Sequence, residues 1–436
     1  MFNCIIMGAA GRDFHNFRTF FLSHPEFGVC AFTATQIPYI DERSFPRELA
    51  GEAYDSDIPI HEEGELEQLI EAHGAEFVFF SYSDIAHEHV MHTAARVQAA
   101  GASFVMLGPQ HTQLVSRRKV IAITATRTGA GKSPLTQFLA RGLTRAGYRV
   151  VAVRHPMPYG NLREQAVQRF ATQADLDAHH CTLEEREEYE PYVRLGLVIY
   201  AGVDYAGILA AAEAEADVIL WDGGNNDFSF IKPDLNIVVC DALRAGHGQT
   251  YYPGETNFRA ADILVLSKVA QAAPDGLQTI LELKAALNPA AATIQGDLEV
   301  TVPEPEELTG ARVLIVEDGP TVTHGGMPYG AGWVAARQCH VAEIVDPRPH
   351  AVGSIAETFA ANPHLQQVLP AIGYSEAQRD ELRQTIEACG AEIVINASPA
   401  DISPLLRPGT RVVPVGYRWV QWSGPDLLHE VKEQLA

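Results

Sequence analysis

The chain has 436 residues, 47% of them hydrophobic and 20% charged. At roughly 100–200 residues per domain, that composition supports two to four domains with large buried cores. The formal net charge of −23 argues against nucleic acid or an anionic membrane as the main partner. It leaves room for a small anion held by a local nest of amides, Lys and Arg.

No run approaches the ~18 apolar residues of a membrane span. The opening MFNCIIMGAAGRDF has the pattern of a buried strand and lacks the basic start of a signal peptide. The six cysteines form no CxxC pair, as expected of reduced thiols in a cytoplasmic protein.

Short apolar runs alternate with helical patterns, the signature of βαβ units and parallel sheets. In chain order the pattern predicts a strand at 2–7, a helix near 14–23, a strand at 28–35, a helix at 63–73, a strand at 76–81, a helix at 87–100 stopped by Gly101, and a strand at 103–107. These make a Rossmann-like N-terminal domain, residues 1–115, followed by a polar linker at Gln110–Lys119. A second block, 116–300, opens with a strand at 120–125, a glycine-rich loop and a helix at 133–146, then strands at 149–153, 197–201, 217–222, 235–240 and 262–267. The run Glu184–Glu190 (EEREEYE) is expected to be an exposed helical face. The stretch Val302–Thr309 opens a smaller C-terminal α/β part, 301–436, with strands at 312–317, 392–396 and 411–415 and helices near 375–389 and 425–435.

The loop Thr126-Arg-Thr-Gly-Ala-Gly-Lys-Ser133 matches GxxxxGK(S/T), with Thr126 in place of the first glycine. Small residues let the amides of Thr128, Gly129, Ala130 and Gly131 turn toward phosphate oxygens, and the following helix, which Pro134 enters, points its positive end at the same anion. Lys132 is expected to reach the β- and γ-phosphates and Ser133 to ligate Mg²⁺. A second cation, Arg127, stands where P-loops of the deviant Walker A type carry a second lysine, which often acts across a dimer; a solvated loop arginine is the alternative. Asp222, ending the strand Val-Ile-Leu-Trp-Asp, is the expected Mg²⁺ carboxylate, with Asn225, Asn226 and Asp227 set to orient a substrate. Ser267-Lys268-Val-Ala270 stands where guanine-specific relatives have Asn-Lys-x-Asp, so adenine is favoured, with Lys268 packing on the base.

An anionic phosphorylated substrate needs further cations and amides. Arg154 and His155, in the Pro-rich VRHPMPYG, lie at the ligand edge of the sheet. Arg244, His247 and His324 are further candidates, the last inside the glycine-rich THGGMPYGAGW. The alternative for each is a structural turn. Asp204 serves Mg²⁺ or caps a helix. The loop after the first strand lacks the GxGxxG pattern; Arg12 there contacts a phosphate, or its glycines are purely steric. His87, His89 and His92 suit a solvated helix or a phosphate better than a metal.

The stretches SYSDIAHEHVMHTAARV (81–97), ATRTGAGKS (125–133), RHPMPYG (154–160), LEEREEYEPYV (183–193), AGVDY (201–205), WDGGNNDFSF (221–230) and HGGMPYGAG (324–332) together resemble the cyclic 2,3-diphosphoglycerate synthetase family, across essentially the whole chain. The resemblance implies ATP-dependent closure of 2,3-bisphosphoglycerate into an intramolecular phosphoanhydride, with release of ADP and phosphate, by a homodimer. Lys132, Arg127 and Asp222 would then carry the chemistry. A switch-type P-loop NTPase acting on a partner protein, and a nucleotide-binding sensor without turnover, are the rival expectations. The expected fold class is α/β: a Rossmann-like N-terminal domain, a P-loop NTPase parallel-sheet domain of the deviant Walker A type, and a smaller C-terminal α/β part.

Overall fold

The structure is a computed structural model and describes residues 1–8, 11–35, 43–155, 161–323, 325–373 and 375–435, without the side chain of residue 225. Three sheets organise it. The first has the strand order Ser44–Phe45, Ile58–Glu62, Phe27–Ala34, Phe2–Met7, Phe77–Phe80 and Ser103–Val105, all parallel except Ser44–Phe45. Aromatic rings dominate one of its cores: Phe14, Phe17, Phe32 and Phe45 are fully buried against one another.

The second sheet has nine strands, in the order Gln168–Phe170, Val198–Ala201, Val150–Arg154, Val218–Asp222, Lys119–Ala125, Leu235–Asp241, Ile263–Ser267, Ala292–Thr301 and Gly416–Ser423. The P-loop strand Lys119–Ala125 lies between Val218–Asp222 and Leu235–Asp241, parallel to both. Its residues from Val120 to Ala125 are all buried, as a strand covered on both faces must be. Only the two edge pairings are antiparallel.

The third sheet runs Glu343–Ile344, Arg312–Glu317, Ile393–Ala397, Val412–Pro414, with Leu369–Pro370 beside Arg312–Glu317; all its pairings are parallel. The chain then returns to the second sheet. Gly416–Ser423 pairs with Ala292–Thr301, and the helix Leu427–Leu435 packs on the P-loop helix Lys132–Arg145, where Gly142 leaves room for Leu428. The segment 301–436 is therefore shared between two sheets. Neither Ala292–Thr301 nor Gly416–Ser423 is among the strands expected from the sequence, because Gly, Asp, Gln and Arg interrupt their apolar pattern.

The short strand Tyr251–Tyr252 pairs with Ile85–Ala86 and so stitches the second unit to the first. The joint beside it is buried and charged. Arg12, 2% exposed, forms an ion pair with Asp227 and lies over the Phe228 ring at 4.1 Å. His15 stacks on Phe230 at 4.2 Å and bonds the Thr112 carbonyl through Nε2.

One expectation is reversed. The run Glu184–Glu190 lies on the helix Leu183–Arg194, and Glu184, Glu185, Glu187 and Glu190 are buried. Glu185 closes a capping box with Thr182 and accepts a bond from Gln165. Glu184 accepts the Gly373 amide, and Glu187 accepts the Ser398 hydroxyl. The third sheet covers this face, which an isolated helix pattern cannot reveal.

Candidate functional site

The P-loop is the turn from the strand Lys119–Ala125 to the helix Lys132–Arg145. Gly129 and Gly131 adopt φ of 76° and 106°, left-handed values that favour glycine. A Cβ on Gly131 would also stand 3.2 Å from Leu298. Gly131 caps the helix without a side-chain bond, leaving the helix end open to an anion.

Lys132 is 7% exposed, and burial lowers its ammonium to about 8. A desolvated cation at a helix N-terminus is suited to a phosphate, which would restore its charge. Lys132, Ser133 and Pro134 line a cavity of about 590 Å³ that all three units bound, through Asp84, the P-loop and Asp318.

Asp222 is fully buried and accepts three bonds: from Arg154 Nη1 at 2.6 Å, Tyr192 Oη at 2.6 Å and Thr136 Oγ1 at 3.3 Å. The same Arg154 nitrogen donates to Ser133 Oγ at 3.1 Å. A guanidinium thus bridges the two groups expected to ligate Mg²⁺. It is a stand-in cation, and an Asp carboxylate plus a Ser hydroxyl is a hard-oxygen donor set that fits Mg²⁺. Arg154 also pairs with Glu188.

The other expected cations are placed differently. Arg127 donates through Nε to Asp84 of its own chain at 2.9 Å and through Nη1 to His247 Nδ1 at 2.7 Å, and lies 3.8 Å from the Tyr251 ring centroid. His247 is thereby an acceptor, and burial and Arg127 lower its pKa. Lys268 donates to the Gly129 carbonyl at 2.7 Å and Arg244 to the Thr128 carbonyl at 2.7 Å, and both pair with Asp241. These two bind the P-loop backbone carbonyls, and Lys268 also lines the cavity. The sequence pattern does not single out Asp241, which joins them.

His155 and Asp227 pair at 2.8 Å, with Arg12 on the same carboxylate, so they belong to the joint between the first two sheets. Asn226, at φ 57°, is fully buried beside them, and Asn257 donates to its carbonyl. The side chain of Asn225, residues 156–160 and His324 lie outside the described residues. Asp204 caps the helix Tyr205–Glu215 by accepting the Gly207 amide, and His87 faces Glu255.

The glycine-rich stretch after residue 324 forms a second nest of amides, and it is already filled. Glu317 accepts the amides of Gly330 at 3.0 Å, Trp333 at 2.9 Å and Gly332 at 3.3 Å. A Cβ on Gly330 would stand 2.5 Å from Glu317 Oε2. Its glycines make room for the protein's own carboxylate.

Besides Tyr192 and Thr136, four acidic groups were unforeseen in the sequence. Asp84, Glu187, Glu188 and Asp318 share the cavity with the P-loop. Asp84 sits at φ 57° beyond the strand Phe77–Phe80, and the turn-forming Ser83-Asp84 was the signal available in the sequence. The burial of Glu187 depends on the third sheet.

No helix is long and apolar enough to cross a membrane among the described residues. No family model matches the chain. The arginine synthetase ArcE of Thermococcus kodakarensis is 54% identical over 432 residues, covering 99% of this chain and 96% of that protein. The tetraacyldisaccharide 4'-kinase of Geobacter sulfurreducens is 31% identical over 165 residues, 35% of this chain and 44% of the kinase. Among solved structures, LpxK of Aquifex aeolicus in complex with ATP superposes with a TM-score of 0.43 at 13% identity, over 74% of this chain and 89% of that one. Identity above one half along nearly the full length of both chains decides the matter: this chain belongs to the family of the Thermococcus kodakarensis arginine synthetase ArcE.

Proposed function

We propose that this protein is an ATP-dependent ligase that makes arginine, joining ammonia to the ureido carbon of citrulline with release of ADP and phosphate. The observation that carries the reading is the balance of committed and uncommitted charge around the cavity. Of the cations on its wall, Arg154 is held by Asp222 and Glu188, Lys268 by Asp241 and Arg194 by Glu190. Lys132 remains for the phosphates of a nucleotide. On the same wall the carboxylates of Glu187 and Asp318 have no ion-pair partner among the described residues. Such a wall suits a zwitterionic amino acid that becomes a guanidinium cation. The name of the 54%-identical relative, arginine synthetase, supports the same product.

In this reading the amides of Thr128–Gly131 and Lys132 hold the ATP phosphates, and Lys132 offsets charge on the transferring group. Mg²⁺ bound by Ser133 and Asp222 would neutralise phosphate charge there. The ureido oxygen attacks the γ-phosphorus and ADP leaves. Ammonia adds to the phosphorylated carbon, and phosphate leaves from it. Tyr192 and Thr136 keep Asp222 oriented.

The second reading is cyclisation of 2,3-bisphosphoglycerate, which the sequence motifs favour. It places several negative charges beside Glu187 and Asp318, which is why it ranks second. One experiment separates them. Purified protein with Mg²⁺ and ATP is given citrulline and ammonium, or 2,3-bisphosphoglycerate; arginine is measured by amino-acid analysis and phosphorus species by ³¹P NMR. Arginine with stoichiometric ADP supports the first reading. A cyclic diphosphate without arginine overturns it. ADP release independent of either acceptor points to the switch-type NTPase.

A further inference from the structure

We propose that Glu187 and Asp318 form the site of the nitrogen donor, which they take up as ammonium and convert to ammonia by accepting its proton. The proposal deepens the arginine-forming reading and rests on it. It starts from a feature the proposed phosphoryl transfer leaves unused.

Glu187 belongs to the helix Leu183–Arg194 of the second unit, and Asp318 directly follows the strand Arg312–Glu317 of the third. The two meet at the cavity that also contains Lys132 and Ser133. Glu187 is 4% exposed; its Oε1 accepts the Ser398 hydroxyl at 2.5 Å, while its Oε2 is buried with no hydrogen-bond partner. An acceptor-only carboxylate oxygen that has lost water and gained no donor is costly unless a donor arrives. Asp318 accepts the Thr321 hydroxyl. Arg154, the cation that acts on Asp318, is already divided among Asp222, Glu188 and Ser133. Burial and the neighbouring Asp318 push Glu187 well above the usual carboxylate range, and burial pushes Asp318 up to about 6. Both groups therefore gain a donor and a compensating charge when a small N–H cation arrives, and each is more basic than an ordinary carboxylate.

The chemistry also requires such a site. Ammonium has no lone pair, so it cannot attack carbon until it loses a proton. The step balances as follows. A carboxylate accepts one proton from ammonium. The freed lone pair forms the new C–N bond to the phosphorylated ureido carbon. The C–O bond to phosphate breaks, and the departing phosphate carries one proton from the attacking nitrogen. Guanidinium and hydrogen phosphate result, and the carboxylate returns its proton to solvent. A low-dielectric pocket beside the P-loop delivers ammonia next to the activated carbon while limiting water.

The α-ammonium of the amino acid has the same chemistry, and the kinetics distinguish the two sources. With the full chain at saturating Mg²⁺ and ATP, Glu187→Gln is expected to raise the KM for ammonium chloride about tenfold or more, with the KM for citrulline and for ATP changing less than about twofold. Hydroxylamine, which arrives neutral near neutral pH, should serve the variant almost as well as the wild type; a merely structural role would penalise both donors alike. Asp318→Asn is the second variant, expected to act in the same direction. A rise confined to citrulline, or no change for ammonium in either variant, overturns the assignment.

A thallium(I) soak of crystals reads the site without turnover. An anomalous peak against Glu187, lost in Glu187→Gln, is expected. That peak in a protein that forms no arginine would keep the cation site and sink the arginine reading. Arginine formation with neither a peak nor a change in ammonium KM would sink the site alone.

Discussion

Two glycine-rich turns in this chain look alike in sequence and do opposite things. Each follows a buried parallel strand and opens a helix: Lys119–Ala125 into Lys132–Arg145, and Arg312–Glu317 toward Ala331–Gln338. At the second turn, Glu317 from the strand's own end occupies the amides of Gly330, Gly332 and Trp333. At the first, the strand ends in Ala125, no side chain caps the helix, and Lys132 adds a cation. An anion nest becomes a ligand site only if the fold does not supply the anion itself.

The largest effect that tests this contrast is at the open nest. Lys132→Ala should lower ATP turnover by about 10²–10³-fold with an unchanged unfolding midpoint, since only charge facing the cavity is lost. Unchanged turnover would break the comparison.

At the plugged nest, Glu317→Ala should cost about 2–3 kcal/mol by denaturant titration, because three amides lose their buried acceptor. It should not create a competing phosphate site, measurable by ³¹P line broadening.

A smaller effect follows from protonation. Burial pushes the Glu317 carboxyl up to about 7, against the three amides that favour its charge. Between the ordinary carboxylate range and that value the native state binds more protons than the unfolded chain. The stability contribution is therefore fully present at low pH and is lost as pH rises through this window, at no more than about 1.4 kcal/mol per pH unit. Glu317→Gln should flatten that slope; an unaltered slope would show that the carboxylate is charged throughout.

The smallest effect sharpens the open nest's surroundings. Asp84→Asn releases Arg127 from the first unit, and the KM for ATP should fall about two- to fivefold as the guanidinium meets phosphate instead. No change would mean Arg127 is structural.

How much of this was legible in the sequence depended on range. The strand before the P-loop, the loop itself and the strand ending in Asp222 were readable as elements because each signal is local to a few residues. The run Glu184–Glu190 was misread as a solvated face, because its partners Gly373 and Ser398 come from a sheet formed much later in the chain. Lys268 was expected on the base and Arg244 on the substrate. Their direction, toward the P-loop carbonyls and Asp241, is a property of strand order. Arg154 was foreseen as a ligand-edge cation but not as the bridge between Ser133 and Asp222. The strand Gly416–Ser423 was missed because Arg418 and Gln421 interrupt its apolar residues, and its pairing partner Ala292–Thr301 lies more than a hundred residues earlier.

That last strand links nucleotide handling to the schedule of protein synthesis. Trp419 sits opposite Leu298 in the register, and Leu298 is the side chain packed against Gly131. Trp419 also meets Phe138 of the P-loop helix at 4.8 Å between ring centroids. A ribosome therefore releases the phosphate-binding loop long before it releases the strand that braces it. A nascent chain carries the motif without its brace and is poorly equipped to spend ATP. Nicking ahead of Gly416 should likewise register first at the P-loop, although the cut falls in a distant part of the sequence.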